Sequence, residues 1–154
     1  MKISVRGEYA LRALVVLGMN AGQGTVVTTA EISQRQNIPK RFLEQILSDL
    51  KGAGLVESKR GISGGYRLRR SADSISLAEV VRHIEGPLAP ISCVSERYYE
   101  KCTCPDESKC GIRSVMKEVR DAIVGILENV TLAQLCERVD QLQGHHENPM
   151  DYII

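Results

Sequence analysis

Residues 28–52 read TTAEISQRQNIPKRFLEQILSDLKG, a stretch with apolar residues at helical spacing on both sides of a proline. Thr28 and Glu31 have the spacing of a capping box, so a short helix begins here. Residues 37–39, Asn-Ile-Pro, predict a tight turn, because proline suits the first turn of the helix that follows. That second helix spans about 40–52. Its predicted buried face consists of Phe42, Leu43, Ile46, Leu47 and Leu50. Two short helices around a tight turn are typical of a helix-turn-helix.

A glycine-rich β-hairpin is predicted directly after these helices. Residues 55–60 and 66–70 alternate apolar and polar side chains, and the segment Gly-Ile-Ser-Gly-Gly at 61–65 separates them. Its basic side chains suit phosphates or a narrow minor groove: Lys59, Arg60, Arg67, Arg69 and Arg70. With a further amphipathic helix predicted over 5–21, this order indicates a winged helix; a plain surface hairpin is the alternative.

The second half of the chain is predicted to be helical as well. Ser76 with Glu79, and Thr131 with Gln134, form two more capping-box patterns, each of which opens a helix. Between them, apolar residues recur in steps of three and four: Val115, Met116, Val119, Ile123, Ile126, Leu127 and Val130. One long helix with an apolar seam follows from this spacing. Because a monomer would leave the seam exposed, we expect a homodimer packed along it; the alternative is that the seam folds back on its own domain.

The predicted fold class is mainly α with a small β-hairpin, a winged helix-turn-helix plus a long dimerisation helix. Four regions are expected: the DNA-binding domain at 1–86, a cysteine-rich loop at 87–111, the dimerisation and C-terminal helices at 112–143, and a flexible tail at 144–154.

Charge is divided unequally along the 154 residues. Residues 1–75 hold 12 Lys/Arg and 6 Asp/Glu, whereas residues 76–154 hold 8 and 13. A basic half suits a polyanion such as nucleic acid. No apolar run approaches the roughly 20 residues that a membrane span needs. The charged start is unlike a signal peptide, so we expect a cytoplasmic protein. No phosphate-binding loop or catalytic triad is evident, and an enzyme is not expected.

Four of the five cysteines fall in the loop: Cys93, Cys102, Cys104 and Cys110. In a reducing compartment such a cluster favours metal binding or redox chemistry over disulfides. Thiolates select zinc, copper(I) or iron–sulfur clusters. The irregular spacing of 9, 2 and 6 positions favours a cluster, and structural zinc and a thiol redox switch stay open. Cys136 shares a helix face with Leu132, Leu135, Val139 and Leu142, so it is predicted to be a buried core thiol; no histidine is expected to be a ligand.

Six segments resemble the IscR/NsrR/CymR group of winged-helix repressors over about residues 1–140. They are SVRGEYALRAL (4–14), RFLEQIL (41–47), AGLV (53–56), RGISGGY (60–66), EGP (85–87) and VTLAQL (130–135). The resemblance implies a homodimer on a pseudo-palindromic operator, with Glu44 and Gln45 facing bases in the major groove and Arg60 in the minor groove. It extends the expected DNA-facing set to Thr29, Lys40, Arg41, Lys59, Gly64 and Tyr66.

The resemblance also implies an iron–sulfur cluster, [2Fe–2S] or [4Fe–4S], that senses iron–sulfur status, redox state or nitric oxide. Cluster-binding members use three loop cysteines, which correspond here to Cys93, Cys104 and Cys110. Cys102 is then an alternate ligand, a fourth ligand or a bystander. IscR-type members have a histidine where this chain has Arg113, which cannot ligate iron. Other members take an acidic residue from the first helix of the partner, and Glu8 of the partner subunit is that candidate.

A second branch of the group offers an alternative function. CymR-type repressors of cysteine and sulfur metabolism lack the loop cysteines, hold no cluster, and are controlled by a partner cysteine synthase or by thiol oxidation. This chain resembles them at residues 86–90, Gly-Pro-Leu-Ala-Pro, and in its ending, Tyr152, Ile153 and Ile154. A free C-terminal isoleucine can be captured by a preformed backbone nest, so the ending is a candidate docking tail for the synthase.

Overall fold

The computed structural model describes residues 1–144, apart from the side chain of Gln23. Six helices and one two-stranded antiparallel sheet make up this part of the chain, which confirms the predicted fold class. The helices are α1 (Val5–Met19), α2 (Thr29–Gln36), α3 (Lys40–Gly52), α4 (Leu77–Glu85), α5 (Gly111–Asn129) and α6 (Leu132–Gly144). No helix among the described residues is long and apolar enough to cross a bilayer. The predictions made for Tyr152, Ile153 and Ile154 lie outside the described residues.

Helix α2 begins at the predicted capping box. The Thr28 hydroxyl accepts the Glu31 N–H at 3.1 Å, and the Glu31 carboxylate accepts the Thr28 N–H at 2.8 Å. Asn37 ends the helix in the left-handed region at φ 51°, and Pro39 stands as the N-cap of α3. The tight turn predicted between the two helices is therefore confirmed, with Asn37 rather than glycine supplying the positive φ.

Phe42 was predicted to be buried on α3, and that prediction is wrong. Its side chain is 55% exposed. The buried positions of α3 are Leu43, Ile46, Leu47 and Leu50. These follow i, i+3, i+4, i+7 spacing, and at about 100° per residue Phe42 lies roughly 90° round the helix from the centre of the stripe that they form. Phe42 lies instead beside Val5 and Tyr9 of α1, where the three side chains line a shallow cavity of about 470 Å³.

The predicted wing is an antiparallel hairpin of strand β1 (Val56–Lys59) and strand β2 (Gly65–Leu68). Val27, just before α2, joins it through two hydrogen bonds of 2.8 Å with Tyr66. Gly65 is required at this junction, because a Cβ there would lie 2.5 Å from the Val27 carbonyl oxygen. A Cβ on Gly64 would lie 2.4 Å from the carbonyl oxygen of Lys59. Gly65 therefore permits the close approach that holds the wing against the start of the helix-turn-helix, whereas Gly64 permits a close approach within the turn of the wing itself.

Helix α1 forms the centre of the main core. It packs against α3, α4 and α6. Cys136 of α6 packs against this core, with its Sγ 3.7 Å from the Val15 carbonyl oxygen, but it is half-buried rather than buried as predicted. Leu142 was assigned to the same buried face, but it is 68% exposed, because α6 extends beyond the core at its C-terminal end.

The apolar residues of α5 divide into two faces rather than one seam. Ile123, Val124 and Leu127 pack against α4, so the expectation of a single exposed seam is wrong for this face. The other face is exposed, with residues in alternating steps of three and four: Ile112, Val115, Val119, Ala122 and Ile126. Such alternation is the pattern of a coiled-coil seam. The predicted seam therefore combined two faces of α5: one that packs against α4, and one that has no partner within the described residues.

The other two capping patterns differ from each other. Thr131 and Gln134 form a full box, with bonds of 2.9 and 3.2 Å. Ser76 accepts the Glu79 N–H at 3.2 Å, but the Glu79 carboxylate pairs with Arg70 instead of reaching back. Only half of that predicted box is therefore present.

Candidate metal centre and nucleic-acid interface

Four thiols meet in the loop between α4 and α5. Cys93, Cys102, Cys104 and Cys110 line one cavity of about 330 Å³. Cys93 is buried in a short 3-10 turn at Ser92–Val94, and the other three thiols are half-buried. The Sγ atoms of Cys104 and Cys110 are 3.8 Å apart. The structure therefore brings together all three predicted ligands and also the extra thiol, Cys102.

The thiols shift one another's pKa. Contact with the thiols of Cys102 and Cys110, with burial added, raises the pKa of Cys104 to about 12. Burial, followed by the neighbouring Cys102, raises the pKa of Cys93. The backbone N–H of Arg113 lowers the pKa of Cys110, whose Sγ accepts that N–H at 3.4 Å as the N-cap of α5. The raised pKa values of Cys93 and Cys104 favour the neutral thiol at these two positions in the metal-free loop.

Glu107 and Tyr99 organise the loop, and neither was predicted. The Tyr99 hydroxyl donates to both carboxylate oxygens of Glu107, at 2.9 and 2.8 Å. Glu107 in turn accepts the backbone N–H of Cys102 at 3.2 Å. The Tyr99 hydrogen bond, followed by that of the Cys102 N–H, lowers the pKa of Glu107, so it stays a carboxylate. No sequence pattern predicts these contacts, because an irregular loop has no period that relates residues five and eight positions apart.

Two arginines of α5 bind the segment that carries Cys93. Arg113 Nε donates to the Cys93 carbonyl at 3.3 Å, and Arg120 donates to the Val94 carbonyl at 2.6 Å. Arg120 is buried and is also paired with Glu96 and Asp121. The cysteine loop is therefore bonded to α5 at both ends, through these carbonyls and through the Cys110 cap.

The loop suits a soft metal group by its donor chemistry. As the side chains stand, no three His, Cys, Asp or Glu residues in the described part of the chain are close enough to hold a single metal ion. Thiolates on an iron–sulfur cluster bind different iron atoms and need not converge on one point, so four thiols around one cavity fit that group better than a single zinc ion. Within its own chain, Glu8 lies on α1, exposed and paired with Arg12 at 3.3 Å.

A second groove lies between the helix-turn-helix and the wing, with a volume of about 550 Å³. Lys51 joins its two walls by donating to the Ser58 hydroxyl at 2.7 Å. Seven of the residues predicted to face DNA line it: Thr29, Lys40, Glu44, Lys59, Arg60, Gly64 and Tyr66. Gln45 lines the other side of α3, with Phe42, and exposed Arg41 lines neither groove. A basic groove between a helix and a hairpin has the shape and charge to meet a phosphate backbone.

Comparison with known proteins decides the family. The family profile described as Rrf2, iron-dependent transcriptional regulator, matches residues 3–138. The chain belongs to the Rrf2 family. An HTH-type, rrf2-like regulator from Rhodobacter capsulatus is 42% identical over 86% of this chain and 91% of its own length. The HTH-type transcriptional regulator IscR of Escherichia coli is 33% identical over 97% of this chain and 91% of its own length.

Solved structures agree with the sequence relatives. The structure of CymR, the global cysteine regulator of B. subtilis, superposes with a TM-score of 0.76 and 32% identity, over 90% of this chain and 98% of that one. The predicted resemblance and winged-helix fold are confirmed, and so is the absence of enzymatic function, since Rrf2-family members such as these are transcriptional regulators. This Rrf2-family chain is therefore a DNA-binding transcriptional regulator.

Proposed function

We propose that this regulator is a cytoplasmic, homodimeric repressor that senses iron–sulfur status, redox state or nitric oxide through an iron–sulfur cluster in its cysteine loop. The observation that carries the proposal is the meeting of four thiols in one cavity whose wall is bonded to α5. Cys93, Cys104 and Cys110 are the proposed ligands. The fourth position has two candidates, Cys102 and Glu8 of the partner subunit. When bound, the cluster supplies a redox-active group that iron supply, oxidants or nitric oxide can remove or alter.

The seam of α5 supports the homodimer. Ile112, Val115, Val119, Ala122 and Ile126 form one exposed apolar stripe with heptad steps. A two-fold dimer would pair this stripe with its own copy. Two winged helices would then present two recognition helices to successive turns of a pseudo-palindromic operator.

A chain of contacts leads from the thiols to the DNA-facing helix. Cys110 caps α5, and α5 packs against α4 through a small apolar cluster and the Arg82–Glu128 ion pair at 2.6 Å. Glu85, at the end of α4, accepts the Ser4 N–H at 2.9 Å and the Ser4 hydroxyl at 2.6 Å. That bond fixes the start of α1.

Helix α1 completes the path to the recognition helix. Its Arg6 pairs with Asp49 of α3. A change in the ligand state of the loop therefore has a continuous, bonded route to α3, and the two recognition helices of a dimer would shift relative to each other. Coupling free energies between sites are typically about 1–3 kcal/mol, which changes affinity roughly 5- to 150-fold.

A binding measurement tests the proposal. DNA duplexes selected by the protein from a random pool serve as the operator. Affinity is then measured by fluorescence anisotropy with protein loaded with iron and sulfide under anaerobic conditions, and again after a chelator has stripped it. We expect the two affinities to differ by about 5- to 150-fold. Cys104→Ser protein should behave as the stripped form after either treatment. Equal affinities for loaded and stripped protein would contradict the proposal.

The CymR-like function is the second candidate, a repressor of cysteine or sulfur metabolism worked by a cysteine synthase or by thiol oxidation. It is favoured by the match to the global cysteine regulator over nearly the whole of that chain. It predicts a metal-free protein whose operator affinity responds to the synthase. Removal of Tyr152, Ile153 and Ile154 should then abolish synthase binding, and unchanged binding would eliminate the tail as the contact.

A further inference from the structure

We propose that Cys102 is the fourth ligand, so that the loop of a single chain supplies a complete set of four thiolates. This inference rests on the proposed function, because it assigns the ligands of the cluster proposed there. A loop with four thiolate ligands needs no residue from a second subunit to hold its metal group. A ligand set completed by Glu8 of the partner subunit would need one.

The position of Cys102 carries the assignment. Its thiol lines the same cavity as the three other loop thiols, and it is close enough to Cys93 and Cys104 to raise the pKa of both. Cys104 in turn lies 3.8 Å from Cys110. All four cysteines of the loop therefore line one space, which is the arrangement that a set of four thiolate ligands requires.

The loop holds Cys102 in this position by a dedicated contact. Glu107 accepts the backbone N–H of Cys102 at 3.2 Å and lies 3.5 Å from its Sγ, while Tyr99 holds the carboxylate from the other side. Residues that orient a ligand in this way commonly surround metal sites. The Cys102 thiol donates to this carboxylate, and Cys102 lines the cavity.

Arg113 cannot be the fourth ligand, and Glu8, the other candidate, is paired with another side chain. Arg113 lines the cavity, but a guanidinium is always protonated and has no lone pair for iron. It donates instead to the Cys93 carbonyl. Glu8 is paired with Arg12, whose guanidinium also bonds Gln36 of α2. Recruiting Glu8 to a metal would break that pair, whereas Cys102 needs no rearrangement to reach the cavity.

The charges around the cavity also suit four thiolates. Arg113, Lys101 and Glu100 line it, so the charged side chains of the lining sum to one positive charge. A set of four thiolates leaves a bound cluster with net negative charge. Cations beside a partly buried anionic group offset its cost of desolvation.

Variants of the full-length chain test the assignment. Five variants and wild type are each reconstituted anaerobically with ferrous iron and sulfide. The variants are Cys102→Ala, Cys102→Ser, Glu8→Gln, Cys136→Ala and, for one of the three other proposed cysteine ligands, Cys104→Ala. Iron and sulfide per chain, the visible and electron paramagnetic resonance spectra, and the half-life of the colour against a chelator are measured. Circular dichroism confirms that each variant is folded.

The expected result separates the two candidates. Both Cys102 variants should lose colour at least about ten-fold faster than wild type, since even residues behind a ligand are worth that much. Cys102→Ser, which keeps the side-chain shape, should also show an altered spectrum. Glu8→Gln and Cys136→Ala should match wild type. Wild-type iron content, spectrum and half-life in both Cys102 variants would overturn this inference alone. A wild-type chain that binds neither iron nor sulfide would overturn the proposed function, and this inference with it.

Discussion

Replacing Ile126 by aspartate should dissociate the proposed dimer. Ile126 exposes 64% of its surface in the single chain and is the last residue of the α5 stripe, towards the C-terminal end of the helix. Full burial of an isoleucine contributes about 1.5–3 kcal/mol, so burying the exposed part contributes about 1–2 kcal/mol per subunit. A two-fold interface contains the residue twice, so the variant loses about 2–4 kcal/mol. That loss raises the dimer dissociation constant roughly 30- to 700-fold, and the buried carboxylates raise it further.

Sedimentation equilibrium measures this change directly. Leu142→Asp is the matched control, because Leu142 is equally exposed, at 68%, but lies at the end of α6 outside the stripe. We expect Ile126→Asp to be monomeric at concentrations at which wild type and Leu142→Asp are dimers. If Ile126→Asp dimerises as tightly as wild type, the α5 stripe is not the dimer interface and the reasoning from its heptad steps is refuted.

Three further predictions concern the wing and the thiols. Arg60→Ala should weaken operator binding and reduce the slope of log affinity against log salt concentration by about one, as expected for a lost DNA contact. Arg138→Ala, which removes an exposed arginine of α6, should change neither quantity. Unchanged affinity of Arg60→Ala would eliminate Arg60 as a DNA contact. Gly65→Ala should lower the free energy of unfolding, measured by urea titration, by about 1–3 kcal/mol, because its Cβ would lie 2.5 Å from the Val27 carbonyl oxygen. Gly52→Ala, which has open space around its Cβ, should cause no comparable loss. Equal stability of the two variants would contradict the close approach at Gly65. In metal-free protein at mildly alkaline pH, iodoacetamide should modify Cys110 before Cys104. The pKa of Cys110 is lowered and that of Cys104 is raised to about 12, so a larger fraction of Cys110 is the reactive thiolate. Peptide mass spectrometry measures the order, and modification of Cys104 first would refute it.

The winged helix was predictable because its signals are local. The capping box at Thr28, the turn at Pro39 and the glycine-rich wing each act within a few residues. Phe42 and Leu142 were misassigned because helical spacing predicts which residues share a face but not how far the neighbouring elements extend to cover it. The two faces of α5 were merged for the same reason, since apolar residues against α4 and on the free stripe obey similar steps.

The sequence predicts the type of ligand at the thiol site but not the contacts that hold the cysteine loop in place. Four cysteines within eighteen positions predict a soft metal group from chemistry alone. The contacts that hold these cysteines join residues that are far apart in sequence or that lie within an irregular loop. Arg120 reaches the Val94 carbonyl across 26 positions, and Glu107 reaches Cys102 across an irregular loop. Such contacts depend on the fold of the loop against α5, for which the sequence has no periodic signal.

Anaerobic purification followed by a visible absorption spectrum, with assays of iron and acid-labile sulfide, tests the central claim most directly. A loop that holds a cluster predicts a brown protein with matching iron and sulfide, and with colour that Cys104→Ser abolishes while the dimer stays intact. Colourless protein with neither iron nor zinc, even after reconstitution, would contradict the claim and leave a thiol switch or a partner-controlled repressor as the function of this Rrf2-family chain.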